Sequence, residues 1–138
     1  MGKPQRVVFL CTGNSCRSQM AEGLLRTLGG DRFEVSGAGT EPADRVHPLA
    51  IETMRERGID ISHQRPKTLA TFDGQQFDLL VTTCDEANES CPFYPGAKRR
   101  LHRSIPDPAK ATGTDNEIRR AFRKAADMLE ERITELLP

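Results

Sequence analysis

Residues 6–28 read RVVFLCTGNSCRSQMAEGLLRTL. The stretch begins with a short apolar, β-branched run at residues 6–10, which is typical of a strand buried on both faces. A polar loop follows, and apolar residues then recur at helical spacing over residues 18–28, up to the pair Gly29-Gly30. A buried strand, a tight loop and an amphipathic helix in this order predict the start of a βαβ unit.

The alternation of strands and helices continues along the chain. Further strands are predicted at residues 33–36, 77–83 and, more weakly, 100–105. One further helix is predicted between Pro48 and Gly58, and another after the capping box of Thr114 and Glu117. The last helix has an apolar stripe made by Ile118, Ala121, Phe122, Ala125, Leu129, Ile133 and Leu136.

This order of elements predicts one α/β domain over residues 1–138. Its core would be a four-stranded parallel sheet with helices on both faces and right-handed crossovers. Ligands in such folds bind at the carboxyl ends of the strands, and the loop that begins at Cys11 lies at that edge.

The composition argues against several classes of partner. The chain has 138 residues with 20 Lys+Arg and 20 Asp+Glu, so no net charge favours nucleic acid or an anionic membrane. Six Phe, one Tyr and no Trp offer few platforms for base stacking. The basic cluster Lys98-Arg99-Arg100 is predicted to be a solvated strand edge. We expect a monomer with no nucleic-acid and no membrane partner.

The interpretation of the cysteines depends on the cellular compartment in which the protein is found. The apolar segments are too short for a membrane span or a signal-peptide core, which predicts a cytoplasmic protein. Because thiols are kept reduced there, the four cysteines are expected to be catalytic, metal-binding or redox-active rather than structural disulfides.

The loop after the first strand has the composition of an oxyanion-binding site. The N–H groups of such a loop converge, and the following helix N-terminus adds partial positive charge. Arg17 supplies a planar fork of donors for phosphate or arsenate, and the same field favours the nucleophilic thiolate of Cys11. Ser18, expected at the helix N-cap, would donate its hydroxyl to that sulfur. The predicted oxyanion-binding residues are Thr12, Gly13, Asn14, Ser15, Cys16, Arg17 and Ser18.

Two other residues near this chemistry receive different interpretations. Cys16 is predicted to be a small buried thiol that serves packing rather than chemistry. Asp107 lies between Pro106 and Pro108, which fix its backbone. Beside an oxyanion loop, we interpret Asp107 as the general acid that protonates a departing oxygen.

Cys84 and Cys91 follow the third predicted strand, at the edge where the first loop opens. Hydrolysis of a phosphate ester needs neither of them. Their spacing is wider than that of a common zinc knuckle, so a metal site is disfavoured and we predict none. The pattern favours a disulfide relay, in which one thiolate attacks another sulfur and the oxidised pair then meets a reductant.

The chain resembles the low-molecular-weight protein tyrosine phosphatases over nearly its whole length. The resemblance is carried by residues 11–18, the Ala38-Gly39-Thr40 turn, the loop around Asp107 and the final helix. Cys11, Cys84 and Cys91 together match the thioredoxin-coupled arsenate reductases built on that fold. The resemblance implies a phosphatase-like fold, arsenate as substrate with phosphate or sulfate as mimics, and a role in arsenic detoxification.

The same resemblance implies a mechanism and a partner. Cys11 attacks arsenate while Arg17 holds its oxygens and Asp107 assists the loss of hydroxide. Cys84 then forms a Cys11–Cys84 disulfide and releases arsenite, and Cys91 converts it into a Cys84–Cys91 disulfide that thioredoxin reduces. Glutaredoxin- or mycothiol-linked systems use similar scaffolds, so the reductant stays open.

The chain departs from its relatives near a potassium site that some of them have. Asn14 and Glu22 match two of that site's ligands, but Gly37 and Lys67 stand where the Ser and Asp partners are expected. We predict no bound potassium, on the ground that Lys67 supplies the positive charge.

Two alternatives to the reductase remain open. One is a low-molecular-weight phosphatase in which Cys84 and Cys91 only protect Cys11. Against it, Ala109 and Lys110 stand where phosphatases have the aromatic residues that hold a phosphotyrosine ring. The other is a thiol-based sensor that binds arsenite through Cys84 and Cys91.

Overall fold

Four parallel strands form the centre of the computed structural model, which describes residues 3–85, 87 and 96–137. They are β1 (Gln5–Cys11), β2 (Phe33–Gly39), β3 (Phe77–Thr82) and β4 (Ala97–His102), in the spatial order β2-β1-β3-β4. Cys11 pairs with Gly39, and Thr82 pairs with His102. The carboxyl ends of all four strands therefore meet at one edge, and the predicted parallel sheet is confirmed.

Three α-helices of the described residues cover one face of this sheet. They are α1 (Arg17–Gly29), α2 (Pro48–Glu56) and α3 (Asp115–Thr134). Their buried side chains, among them Leu24, Met54 and Phe122, pack with Val7 and Phe9 of β1 in one apolar cluster. Burial of such side chains is the main force that holds a helix on a sheet.

The opposite face carries a second, smaller cluster. Val8 and Leu10 of β1 pack there against Leu80, Phe72 and Ala87. Phe72 ends the short 3₁₀ helix Leu69–Phe72, and Ala87 has helical backbone. Helical segments thus contact both faces, with the three long helices on one of them.

Two strands have bounds that differ from the prediction. β2 was expected to end at Ser36, but it continues to Gly39 because residues 37–39 still pair with β1. β4 was expected at residues 100–105, but it occupies Ala97–His102 in register with β3. An edge strand needs no apolar run. The charged residues of β4 therefore gave no strand pattern in the sequence. Lys98, Arg99 and Arg100 are exposed on this edge strand, as predicted.

The helix ends follow the local signals. Thr114 and Glu117 form the predicted capping box at the start of α3. Gly58 follows α2 with φ of 78°, a conformation that favours glycine. Among the described residues, no helix has the length and apolarity needed to cross a bilayer.

Candidate active site

The loop between β1 and α1 turns its carbonyl groups outward. Backbone amides of the segment after β2 hold four of them, and Gln19 and Met20 of α1 hold two more. The bonds are Thr40 N to Cys11 O (3.2 Å), Glu41 N to Thr12 O (2.8 Å), Ala43 N to Gly13 O (2.8 Å), His47 N to Ser15 O (2.9 Å), Gln19 Nε2 to Asn14 O (2.8 Å) and Met20 N to Cys16 O (2.9 Å). Because a trans peptide directs its N–H opposite to its C=O, this arrangement turns the loop amides inward.

The sulfur of Cys11 lies inside that ring of amides. Cys11 is the last residue of β1 and is 2% exposed. Its Sγ accepts the N–H of Asn14 at 3.1 Å and lies 2.9 Å from the hydroxyl of Ser18. Asn14 has φ of 49°, so the left-handed residue of the turn is Asn14 rather than Gly13. Donors around a sulfur stabilise its thiolate, the nucleophilic form.

Ser18 contacts Cys11 as predicted, but its position in the helix differs from the prediction. The N-cap of α1 is Cys16, and Ser18 is the second residue of the helix. Asn14 Nδ2 donates to the hydroxyl of Ser18 at 2.6 Å. That bond leaves the hydroxyl hydrogen of Ser18 available to Cys11, and a Cys11 thiolate, which has no hydrogen to donate, accepts it.

Arg17 holds a buried donor, its Nε, that is available to a ligand. Its Nη1 donates to the carbonyl of Ile105 at 3.0 Å, and its Nη2 lies 3.6 Å from Asp107 Oδ2. Its Nε is buried without a hydrogen-bond partner among the described residues. Since buried donors are nearly always satisfied, an N–H in this state beside the oxyanion loop is suited to an oxygen of the bound anion.

Asp107 faces the same pocket from the loop after β4. It caps the 3₁₀ helix Pro108–Lys110, where its Oδ1 accepts the N–H of Ala109 at 3.0 Å. Its Oδ2 points toward Arg17, and the side chain is 23% exposed. One oxygen therefore fixes the carboxyl group while the other faces the site, as a general acid requires.

Cys84 brings a second thiol to this site. It lies two residues beyond the end of β3 and is 3% exposed. Its Sγ is 3.4 Å from the hydroxyl of Thr12, the residue next to Cys11, and 3.4 Å from the N–H of Ala87. Cys11 and Cys84 belong to the same apolar cluster.

A cavity of about 200 Å³ opens beside these groups. No aromatic residue is among the described residues that line it. The lining residues are Arg17, Cys84, Asp85, Ser104, Ile105, Pro106, Asp107 and Lys110.

This chain is similar in sequence to known proteins. The low molecular weight phosphotyrosine protein phosphatase family matches residues 6–138. The chain belongs to this family. The arsenate reductase of Halalkalibacterium halodurans is 48% identical over 127 residues, which are 92% of this chain and 91% of that protein.

Solved structures of family members are also similar. An arsenate reductase in the phosphate binding state has a TM-score of 0.78 and 33% identity, with 96% of this chain and 95% of that chain covered. The thioredoxin-dependent arsenate reductase of Corynebacterium glutamicum has a TM-score of 0.73 and 30% identity, with 99% of this chain and 62% of that chain covered.

Of the other two cysteines in this phosphatase-family chain, Cys16 is buried. Cys16 is 4% exposed in the large apolar cluster, and burial raises its pKa to about 12. It therefore stays a neutral thiol and packs, as its sequence position suggested. Cys91, the predicted second relay residue, lies outside the described residues.

A buried chain of side-chain amides, which no sequence motif indicated, supports the loop after β1 in this phosphatase-family protein. Gln64 Nε2 donates to Gln19 Oε1 at 2.7 Å, and Gln19 in turn donates to the carbonyl of Asn14. Arg26 Nη1 donates to Gln64 Oε1 at 2.8 Å. Both glutamines are buried. Their isolated positions in the sequence carry no motif, because Gln64 reaches the loop only through the tertiary fold.

The contacts of Lys67 and Glu22 change the reason for predicting that no potassium binds. Lys67 Nζ donates to the carbonyl of Arg65 at 3.1 Å, and it is Arg26 that pairs with Glu22, at 2.6 Å. Asn14 Oδ1 accepts the backbone N–H of Lys67 at 3.0 Å. These contacts involve both oxygens of Asn14 and Oε2 of Glu22, while Oε1 of Glu22 is buried without a hydrogen-bond partner among the described residues. That no potassium binds remains a prediction, with Arg26 as the internal cation.

Proposed function

We propose that this protein reduces arsenate to arsenite with thiols as the source of electrons. The observation that carries the proposal is the position of Cys84, whose sulfur lies 3.4 Å from Thr12 at the mouth of the Cys11 loop. Hydrolysis of a phosphate ester does not need a second thiol at that point. An arsenate reductase that aligns with 92% of this chain at 48% identity supports the same assignment.

The first step is attack on the bound oxyanion. The inward amides, the helix N-terminus and the free Nε of Arg17 would hold three oxygens of arsenate above Cys11. The Cys11 thiolate forms an S–As bond, and one arsenate oxygen leaves as water after Asp107 supplies its proton. No electron pair has moved to arsenic at this stage.

The second step transfers the electrons. The Cys84 thiolate attacks the sulfur of Cys11, an S–S bond forms and the S–As bond breaks. The electron pair of the broken bond stays with arsenic, which leaves as arsenite, and the two cysteines have been oxidised to the Cys11–Cys84 disulfide.

The third step regenerates the nucleophile. Cys91 would attack Cys84, which frees the Cys11 thiolate and leaves a Cys84–Cys91 disulfide. A dithiol protein of the thioredoxin class would then reduce that disulfide in two exchange steps. The thioredoxin dependence of the Corynebacterium glutamicum relative supports this choice of reductant.

The proposal is tested by coupled turnover. Arsenate with thioredoxin, thioredoxin reductase and NADPH should consume NADPH, and Cys84→Ser should abolish that consumption while slow hydrolysis of an aryl phosphate persists. Ser62→Ala is the control, because Ser62 is exposed and lies outside the loop and the cavity, and it should retain turnover. Arsenate reduction at the normal rate by Cys84→Ser would refute the relay.

The phosphatase alternative rests on the completeness of Cys11, Arg17 and Asp107 for ester cleavage. It predicts efficient hydrolysis of aryl phosphates that does not change when Cys84 is replaced. The sequence argues against it, because Ala109 and Lys110 stand where phosphatases have the aromatic residues that hold a phosphotyrosine ring. Comparing kcat/KM for an aryl phosphate with that for arsenate distinguishes the two.

A further inference from the structure

His102 connects the fixed edge of the sheet to the residue that follows Cys84. It is the last residue of β4 and pairs with Thr82, the last residue of β3. Its Nδ1 is 2.7 Å from the hydroxyl of Thr82, which is fully buried. Its Nε2 is 2.8 Å from Asp85 Oδ1. One imidazole ring thus spans from the end of a buried strand to Asp85.

Asp85 is held although its side chain is 73% exposed. Hydrogen bonds from His102 and then from Ser104 lower the pKa of its carboxyl group, so it is an ionised acceptor at neutral pH. An exposed aspartate usually samples several rotamers, and ordering it has an entropic cost. Here charge-assisted hydrogen bonds offset that cost.

The sulfur of Cys84 has only long polar contacts among the described residues, although its side chain packs in the smaller apolar cluster. Its sulfur makes two contacts of 3.4 Å, to the hydroxyl of Thr12 and the N–H of Ala87. On the preceding side, Thr83 donates its N–H to Leu10 and accepts that of Ile105. The hydrogen bonds of Thr83 therefore fix the backbone on one side of Cys84. On the other side, the contacts of Asp85 with His102 restrain it.

We propose that His102 and Asp85 are positioning residues for the second step of arsenate reduction. Their hydrogen bond keeps the sulfur of Cys84 beside Thr12, from where it attacks the sulfur of the Cys11–arsenic adduct. This inference rests on the proposed relay. Neither residue has a contact with the Cys11 sulfur among the described residues. Because Asp85 lines the cavity and its charge acts on Arg17, the pair is tested at saturating arsenate, where differences in anion binding do not enter the rate.

The direct test is a single turnover without thioredoxin. Arsenate is added to reduced protein, and the Cys11–Cys84 disulfide is followed by quenching and peptide mass mapping. Asp85→Ala and His102→Ala should each slow its formation about tenfold, the effect of losing one hydrogen bond to a charged group. His102→Gln, which keeps a donor, should recover part of the rate, and the double variant should be no slower than either single one.

A second measurement needs no arsenate. Iodoacetamide should alkylate Cys84 faster in both alanine variants, since its sulfur is then less confined, while phosphate should protect Cys11 as in the wild type. His63→Ala is the matched control, because His63 is exposed, and it should change neither rate. Asp85 is exposed as well, so its replacement should leave the fold intact.

The outcomes separate the two proposals. If the wild type forms the disulfide and Asp85→Ala forms it equally fast, the positioning role is wrong and the relay stands. If arsenate oxidises no thiol of the wild type, the proposed function is wrong. In that case Cys84 alkylation still decides whether Asp85 and His102 hold the sulfur, and an unchanged rate overturns the inference.

Discussion

The hydroxyl of Ser18 lies 2.9 Å from the sulfur of Cys11, with Asn14 Nδ2 bound to the other side of the same oxygen. The relationship makes Ser18 a donor to the nucleophile rather than a helix cap. It links the start of α1 to the end of β1 through one hydrogen bond, and we expect the reactivity of Cys11 to depend on it.

Ser18→Ala should therefore slow alkylation of Cys11 at neutral pH. Removing a hydrogen bond to a charged group reduces the stability of the thiolate, and we expect a loss of about tenfold in rate. The measurement is the second-order rate with iodoacetamide. Ser15→Ala is the control, because the Ser15 hydroxyl contacts Cys16 instead, and an equal loss there would show that the effect is not specific.

Asp107→Asn should lower kcat for arsenate by about a hundredfold, the lower end of the range for a general acid. The amide keeps the cap on Ala109, so the loop retains its shape. Steady-state kinetics should show a small change in KM. An effect confined to KM would mean that Asp107 acts in binding and not as an acid.

Gly39→Ala should destabilise the protein and the loop together. A Cβ at Gly39 would lie 2.6 Å from the carbonyl of Thr12 and 3.0 Å from Asn14 Cβ. Overpacking of this kind costs about 1–3 kcal/mol, which thermal unfolding detects as a lower Tm. Gly13→Ala is the matched comparison, since its nearest neighbour is 3.4 Å away, and its Tm should stay near that of the wild type.

Cys16 should make stability depend on alkaline pH. Burial raises its pKa from 9.0 to about 12, so the unfolded chain loses the proton first. Its contribution to folding is complete below pH 9 and is lost as the pH rises toward 12.

The free energies of unfolding of the wild type and of Cys16→Ala, measured in urea at several pH values, check this. Above pH 9 the advantage of the wild type should shrink by about 1.4 kcal/mol per pH unit. A constant difference up to pH 10.5 would mean that Cys16 ionises in the folded protein.

The loop after β1 and the cap of α3 could be predicted because their signals are local. Cys11 and Arg17 are six positions apart between a strand and a helix, and Thr114 and Glu117 form a cap within one turn. The bounds of β4 could not be predicted, because an edge strand of charged residues depends on its pairing with β3 for its register.

The sequence alone determined the parallel sheet and predicted the nucleophile and its anion-binding loop, since backbone geometry and short-range periodicity specify them. Only the tertiary structure decided which distant residues meet there. Thr12 and Cys84 are 72 positions apart, and His102 reaches Asp85 across 17. Such contacts depend on strand order and register, which result from burial of the whole core and not from any neighbouring residues.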